Sequence, residues 1–173
     1  RVASSDYFDL TRAGQVDLTQ ALRSPGSALK PFIYGLGFED GLVHPESLID
    51  DRPTRYGNYA PENFDLTFQG IVPVRKALQL SLNVPAVALL DRAGPSRLTD
   101  RLAQAGGELT LPRGEVPGLA MGLGGIGVTL SDLTMLYAGL ARQGSTIPRV
   151  ERKADLALAR PPRRLLDPVA AWY

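Results

Sequence analysis

Arg23-Ser24-Pro25-Gly26-Ser27-Ala28-Leu29-Lys30-Pro31-Phe32 is the stretch from which the rest of the chain can be read. Gly26 lacks a Cβ and so permits a tight entry into a helix. The residues that follow, Phe32-Ile33-Tyr34-Gly35-Leu36-Gly37-Phe38, are apolar on nearly every face, the mark of a buried helix. Ser27 and Lys30 stand three apart and share a helix face, with Cβ atoms about 5–6 Å apart. A serine hydroxyl is a poor nucleophile until a base takes its proton. A solvated lysine, with a pKa of about 10.4, is protonated and cannot be that base. Burial and the positive end of a helix dipole both favour the neutral amine. The free N–H groups of a first helical turn can hold an oxyanion. Pro31 costs little so near a helix start. The plain alternative is a capped helix with a snorkelling lysine.

The 173 residues are enough for one domain with a core. The net charge of +1 gives no electrostatic case for nucleic acid or for an anionic membrane. Cysteine is absent, which excludes disulfides and thiolate zinc sites, and His44 is the only histidine, so a site of several histidines is excluded too. No cofactor is implied. No apolar run is long enough to span a membrane, and the first residues form no signal peptide. Lysine occurs three times, at Lys30, Lys76 and Lys153, against sixteen arginines, which makes each lysine informative.

Outward from the opening stretch, residues 1–9 read as a short strand, Thr11 to Gln15 as a polar turn and Val16 to Leu22 as a connector. The Ser27 helix runs to about Phe38 and stops near Gly41. His44 to Ile49 reads as a turn and a short extended piece. His44 sits beside Pro45 without a triad signature, which argues against a catalytic role. Asp50 to Gly70 reads as a long loop whose aromatics pin it to the surface, and a loop of that length is often functional. Val72-Pro73 is expected to open a helix ending at Ser81-Leu82-Asn83. Val84-Pro85 starts another, to Gly94. Ser81 and Asn83 therefore fall at a helix junction, where they can face a cleft or simply cap a helix. Pro95 opens a third helix, stopped by Gly106-Gly107. Leu109 to Pro117 reads as a loop. Gly122, Gly124 and Gly127 match G-x-G-x-x-G, but position 147 is Ile and no acid follows at the required distance. A strand and turn with closely packed backbones is the better reading. Thr129 and Asp132 resemble a capping box for a helix to Gly144. Residues 150–173 read as a linker or edge strand.

Four segments together resemble the transpeptidase domain of a class A (bifunctional) penicillin-binding protein, most like its 1C group. They are Arg23 to Phe32 with its S-x-x-K, Tyr59-Ala-Pro-Glu-Asn-Phe-Asp65, Ala77 to Val87 with its S-x-N, and Ala120-Met-Gly-Leu-Gly with Val128-Thr-Leu-Ser-Asp-Leu133. They fall in the family's order. The resemblance implies an α/β (α+β) transpeptidase fold, here mostly helical with an incomplete antiparallel sheet. It implies that Ser27 attacks a D-alanyl-D-alanine stem peptide or a β-lactam, with Lys30 as general base. Ser81 would relay a proton to the leaving amine and Asn83 would hold a substrate amide. It further implies a periplasmic site on a membrane-anchored parent, no nucleic-acid partner, and no membrane contact except through an upstream anchor.

The family's third motif, Lys-Thr-Gly on a sheet edge, is absent, since none of the three lysines precedes Thr-Gly. Residues 1–173 are therefore expected to be a partial transpeptidase domain, with the glycosyltransferase domain upstream and the Lys-Thr-Gly strand downstream, and to have little activity alone. Two alternatives keep the fold: a serine β-lactamase or β-lactam sensor, with Glu62 as its only acid near an Asn, and a degenerate module that binds peptidoglycan or a partner without catalysis.

Overall fold

A computed structural model describes residues 6–150, 152–158 and 160–173. Gly26 takes φ +53°, as its place before Ser27 demands, and residues Gly26–Leu29 form a 3-10 turn. The α-helix proper, α1, spans Lys30–Glu39. The expected single helix is thus two pieces: Ser27 lies in the tight turn and Lys30 begins α1. Leu29, Phe32, Ile33, Tyr34 and Leu36 are fully buried, so nearly every face of this segment lies in the core. Each such large apolar side chain contributes roughly 1.5–3 kcal/mol by leaving water.

The other helices are α2 (Val74–Gln79), α3 (Asn83–Ala93), α4 (Pro95–Gln104), α5 (Leu130–Ala141) and α6 (Pro168–Trp172). α1 lies against α3, where Val87, Leu89 and Leu90 are buried. The approach is close: a Cβ on Gly37 would stand 2.8 Å from the Leu89 side chain, so the two helices meet at a glycine. α4 starts at Pro95 and stops before Gly106 (φ +95°). Thr129 caps α5, its hydroxyl accepting the N–H of Asp132 at 3.0 Å.

The strands are short. Leu22–Arg23 (β1) and Leu109–Thr110 (β4) flank Gly127–Thr129 (β5), all antiparallel, with Leu22 opposite Thr129 and Leu109 opposite Val128. Leu48–Asp51 (β2) pairs antiparallel with Gly70–Pro73 (β3), Asp51 opposite Gly70. Ser145–Thr146 (β6) pairs antiparallel with Arg163–Arg164 (β7). The result is a mostly helical α+β arrangement with small antiparallel sheets, as the residue pattern implies.

Several local readings change. The strand expected over 1–9 falls partly outside the described residues, and residues 6–9 form a turn into a 3-10 segment capped by Asp9. Val72-Pro73 belongs to β3, and α2 starts one residue later, because pairing with Leu48 and Ile49 keeps Pro73 extended. Leu109–Thr110 is a strand inside the expected loop. Leu119–Leu123 is a 3-10 turn and only residues 127–129 are strand. The tail is no linker: it supplies β7, buries Leu165 and Leu166 in the core and ends in α6 against α1.

Candidate active site

Burying an amine on α1 raises the question of what answers it. Lys30 is 1% exposed. Its Nζ donates to the Ser81 carbonyl at 2.5 Å, to Ser81 Oγ at 3.1 Å and to Asn83 Oδ1 at 2.6 Å. Among the described residues no carboxylate pairs with it, and burial pulls the amine down to about 8. Roughly a tenth of the molecules then hold it neutral at pH 7. A neutral amine suits the same surroundings: two N–H donors satisfy the Ser81 carbonyl and Asn83 Oδ1, and the lone pair is left for a hydroxyl proton.

Ser81 reaches Lys30 because the chain reverses there. It follows α2 with φ +54°, a left-handed conformation uncommon for residues other than glycine. That turn brings both its carbonyl and its hydroxyl to the amine. Asn83 opens α3, yet its side chain does not cap the helix. Its Oδ1 faces Lys30 and its Nδ2 donates to the Glu62 carbonyl at 2.6 Å.

Ser27 is exposed at the head of the turn. Lys30 points its amine at Ser81 and Asn83, and among the described residues the Ser27 hydroxyl takes no hydrogen bond. The turn itself is clamped. Tyr137 donates its hydroxyl to the Ala28 carbonyl at 2.9 Å and stacks edge-on against Phe32. The Ala28 N–H donates to the Pro25 carbonyl at 3.1 Å, so that first-turn donor is already engaged. Ser24 Oγ donates to the Gly124 carbonyl at 2.7 Å. A Cβ on Gly124 (φ +101°) would lie 2.8 Å from the backbone of Gly26. The glycine-rich 122–127 segment thus packs directly behind the serine turn.

Sequence reasoning missed two residues. Asn63 and Asp51 are buried, at 3% and 0% exposure. Asn63 Oδ1 accepts the backbone N–H of Asn83 at 2.7 Å. Its Nδ2 donates to both Asp51 oxygens, at 2.8 and 3.0 Å, and to the Thr67 carbonyl at 2.9 Å. The available signal was that Asn63 lies in the Tyr59–Asp65 segment, inside a long loop that ordinary connections do not need. Glu62 gives the site its backbone carbonyl only, while its residue is exposed. His44 is held elsewhere, with its ring 4.9 Å from that of Tyr173 and its Nδ1 accepting from Glu46 N. No His, Asp or Glu cluster able to hold a metal occurs among the described residues, and none of their helices is long and apolar enough to cross a membrane.

Residues 4–148 match the penicillin binding protein transpeptidase domain. Penicillin-binding protein 1C of Escherichia coli (strain K12) is 44% identical over 171 residues, which cover 99% of this chain and 22% of the relative. Penicillin-binding protein 1F of Bacillus subtilis (strain 168) is 34% identical, over 75% of this chain and 18% of the relative. The chain thus spans about a fifth of the length of these curated relatives. PonA1 of Mycobacterium tuberculosis, solved in complex with penicillin V, superposes with a TM-score of 0.74 over 90% of this chain and 46% of that one. At 22% identity that likeness is one of fold.

Proposed function

Because the chain belongs to the penicillin-binding protein transpeptidase family, we propose that it carries the nucleophile half of a peptidoglycan DD-transpeptidase site. The observation that supports this best is Lys30: a buried amine, drawn down to about 8 and hydrogen-bonded to Ser81 and Asn83, one helical turn from an exposed serine.

Ser27 Oγ attacks the carbonyl of the penultimate D-alanine of a stem peptide, and Lys30 takes its proton. The peptide C–N bond breaks, the terminal D-alanine leaves as an amine, and Ser81 passes that amine a proton from Lys30. The acyl group stays on Ser27 as an ester. The amine of a second stem peptide then attacks the ester, which frees Ser27 and forms the cross-link. Asn83 turns its Oδ1 to Lys30 and holds a substrate amide as the peptide enters. A β-lactam follows the first step and remains on Ser27. Proton transfer by a positioned group contributes about 10²–10⁴-fold to such a step.

The oxyanion and the substrate carboxylate need donors from a Lys-Thr-Gly strand. In this reading that strand lies C-terminal to residue 173, a glycosyltransferase domain and a membrane anchor lie upstream of residue 1, and the site faces the periplasm. Residues 1–173 alone then turn over little or no D-Ala-D-Ala peptide. A second reading, a non-catalytic module that binds peptidoglycan, draws on the Ser27 hydroxyl having no bond to Lys30.

Intact mass after incubation with a labelled penicillin separates them, for this chain and for one continued beyond Tyr173, with Ser27→Ala as control. Ser27-dependent labelling of the longer chain is expected. Labelling of neither, with muropeptide binding unchanged by Ser27→Ala, rejects acyl transfer in favour of the binding module.

A further inference from the structure

Four buried or half-buried side chains link α1 to the end of β2: Lys30, Asn83, Asn63 and Asp51. Every amide in this line has its orientation dictated. Asp51, when ionised, only accepts, and it receives Asn63 Nδ2 on both oxygens and the Gln69 N–H at 2.8 Å. Turning the Asn63 amide over would set its oxygen against the Asp51 carboxylate and the Thr67 carbonyl, and its NH2 against the Asn83 N–H. Every contact would then repel. The Glu62 carbonyl fixes Asn83 in the same way, by taking Nδ2 and leaving Oδ1 for Lys30. The dipoles run head to tail from a buried anion to a buried cation, and such aligned bonds polarise one another. The phenol of Tyr34 is buried without a hydrogen-bond partner among the described residues and is pushed up by burial and by the charge of Asp51. Asp51 therefore acts as an anion whose donors are Asn63 and Gln69 rather than the nearby hydroxyl.

We propose that Asp51 and Asn63 are positioning residues for Lys30: through Asn83 they fix where its amine points. Neither touches the reacting atoms. Asn63 holds the backbone at which Asn83 leaves the Ser81 turn, and Asp51 holds Asn63 in the one orientation that does so. The catalytic consequence rests on the acyl-transfer reading, whereas the positioning itself does not.

The three lysines make the test direct, because ¹³Cε labelling gives three signals and Lys30→Arg removes one of them. Asn63→Ala changes no charge. It should free Asn83, take an acceptor from the ammonium and lower the Lys30 titration midpoint by about half a unit or more, roughly threefold in proton affinity. In a chain continued beyond Tyr173, acylation by penicillin should slow by about tenfold or more, with non-covalent affinity within about twofold. Asn63→Asp alone sets two carboxylates face to face and should slow acylation similarly. Combined with Asp51→Asn, the new amide at 51 donates to the new carboxylate at 63, which still accepts the Asn83 N–H. This exchange should restore the rate to within about threefold, the signature of a coupled pair. A lowered melting temperature in Asn63→Ala with midpoint and rate unmoved overturns the proposal, as does an exchange no better than its single variants. Should Asn63→Ala not fold, the exchange decides alone. A shifted Lys30 midpoint in a protein that penicillin never labels keeps the positioning role and rejects acyl transfer.

Discussion

The two ends of α1 bury opposite charges and treat them differently. At the C-terminal end Glu39 meets Arg101 at 2.7 Å and Arg164 at 3.4 Å, and accepts the Asp167 N–H at 2.7 Å. Burial alone would raise its carboxyl, but the Arg101 hydrogen bond, the Asp167 N–H and the two guanidinium charges outweigh it and hold the group below the usual range. At the N-terminal end Lys30 meets only neutral acceptors, and burial brings it close to neutrality. A buried charge answered by opposite charge is fixed in one state and serves as a clasp, here tying α1 to α4 and the tail. A buried charge answered by neutral dipoles can change state near physiological pH, which is what proton transfer requires.

Replacing the amine should break the comparison most visibly. Lys30→Met should slow penicillin acylation of Ser27 by about 10²–10⁴-fold, measured by stopped-flow or intact mass in the longer chain. A loss under tenfold would remove Lys30 as the base. The clasp should fail differently. Glu39→Gln should cost about 3 kcal/mol of stability by denaturant titration, because it strips the charge from a largely buried pair. The Lys30 midpoint should not move, and a midpoint that did move would merge the two ends into one network.

The pH response sharpens the contrast. Acylation should rise about tenfold from pH 7 to 9 and then level, following deprotonation of Lys30 through about 8. The folded value lies below that of the unfolded chain, so between them the unfolded state binds more protons and stability rises with pH. The penalty for burying the ammonium is full below pH 8 and falls away toward about 10.4, by roughly 3 kcal/mol in all. Comparing wild type with Lys30→Met over pH 8–10 isolates it. Glu39 has the opposite sense: its contribution is present above the unfolded value near 4.3 and is lost as pH falls through the lower folded value. The smallest effect belongs to the exposed pair of Arg75 and Glu46. Arg75→Ala should change stability by less than about 0.5 kcal/mol, and a larger change would mean that exposed pairs matter here as the Glu39 clasp does.

Much of this arrangement was legible in the residues. The Gly26 turn, the apolar helix behind it, the helices opened by Val84-Pro85 and Pro95, and the Thr129–Asp132 cap all follow from local rules. The packing role of the glycine-rich segment was legible as well, since Gly124 lies against Gly26. Strands of two to four residues were not, because so few positions show no periodicity. β1 was hidden in a connector and β3 behind a proline that read as a helix start.

By itself the sequence determined the chemistry available: one nucleophile turn, three lysines of which one sits in an apolar helix, no thiols, and a serine and asparagine at a helix junction. Local conformation and the solvation of a charged amine depend on near neighbours and on burial, and both leave a pattern in the chain. Only the tertiary structure decided where the Lys30 amine points. Its acceptors lie 51 and 53 residues away, and Asn63 and Asp51 stand behind Asn83. A hydrogen bond is set by distance and angle between atoms, and nothing along the chain records which distant polar groups folding will bring within 3 Å of one another.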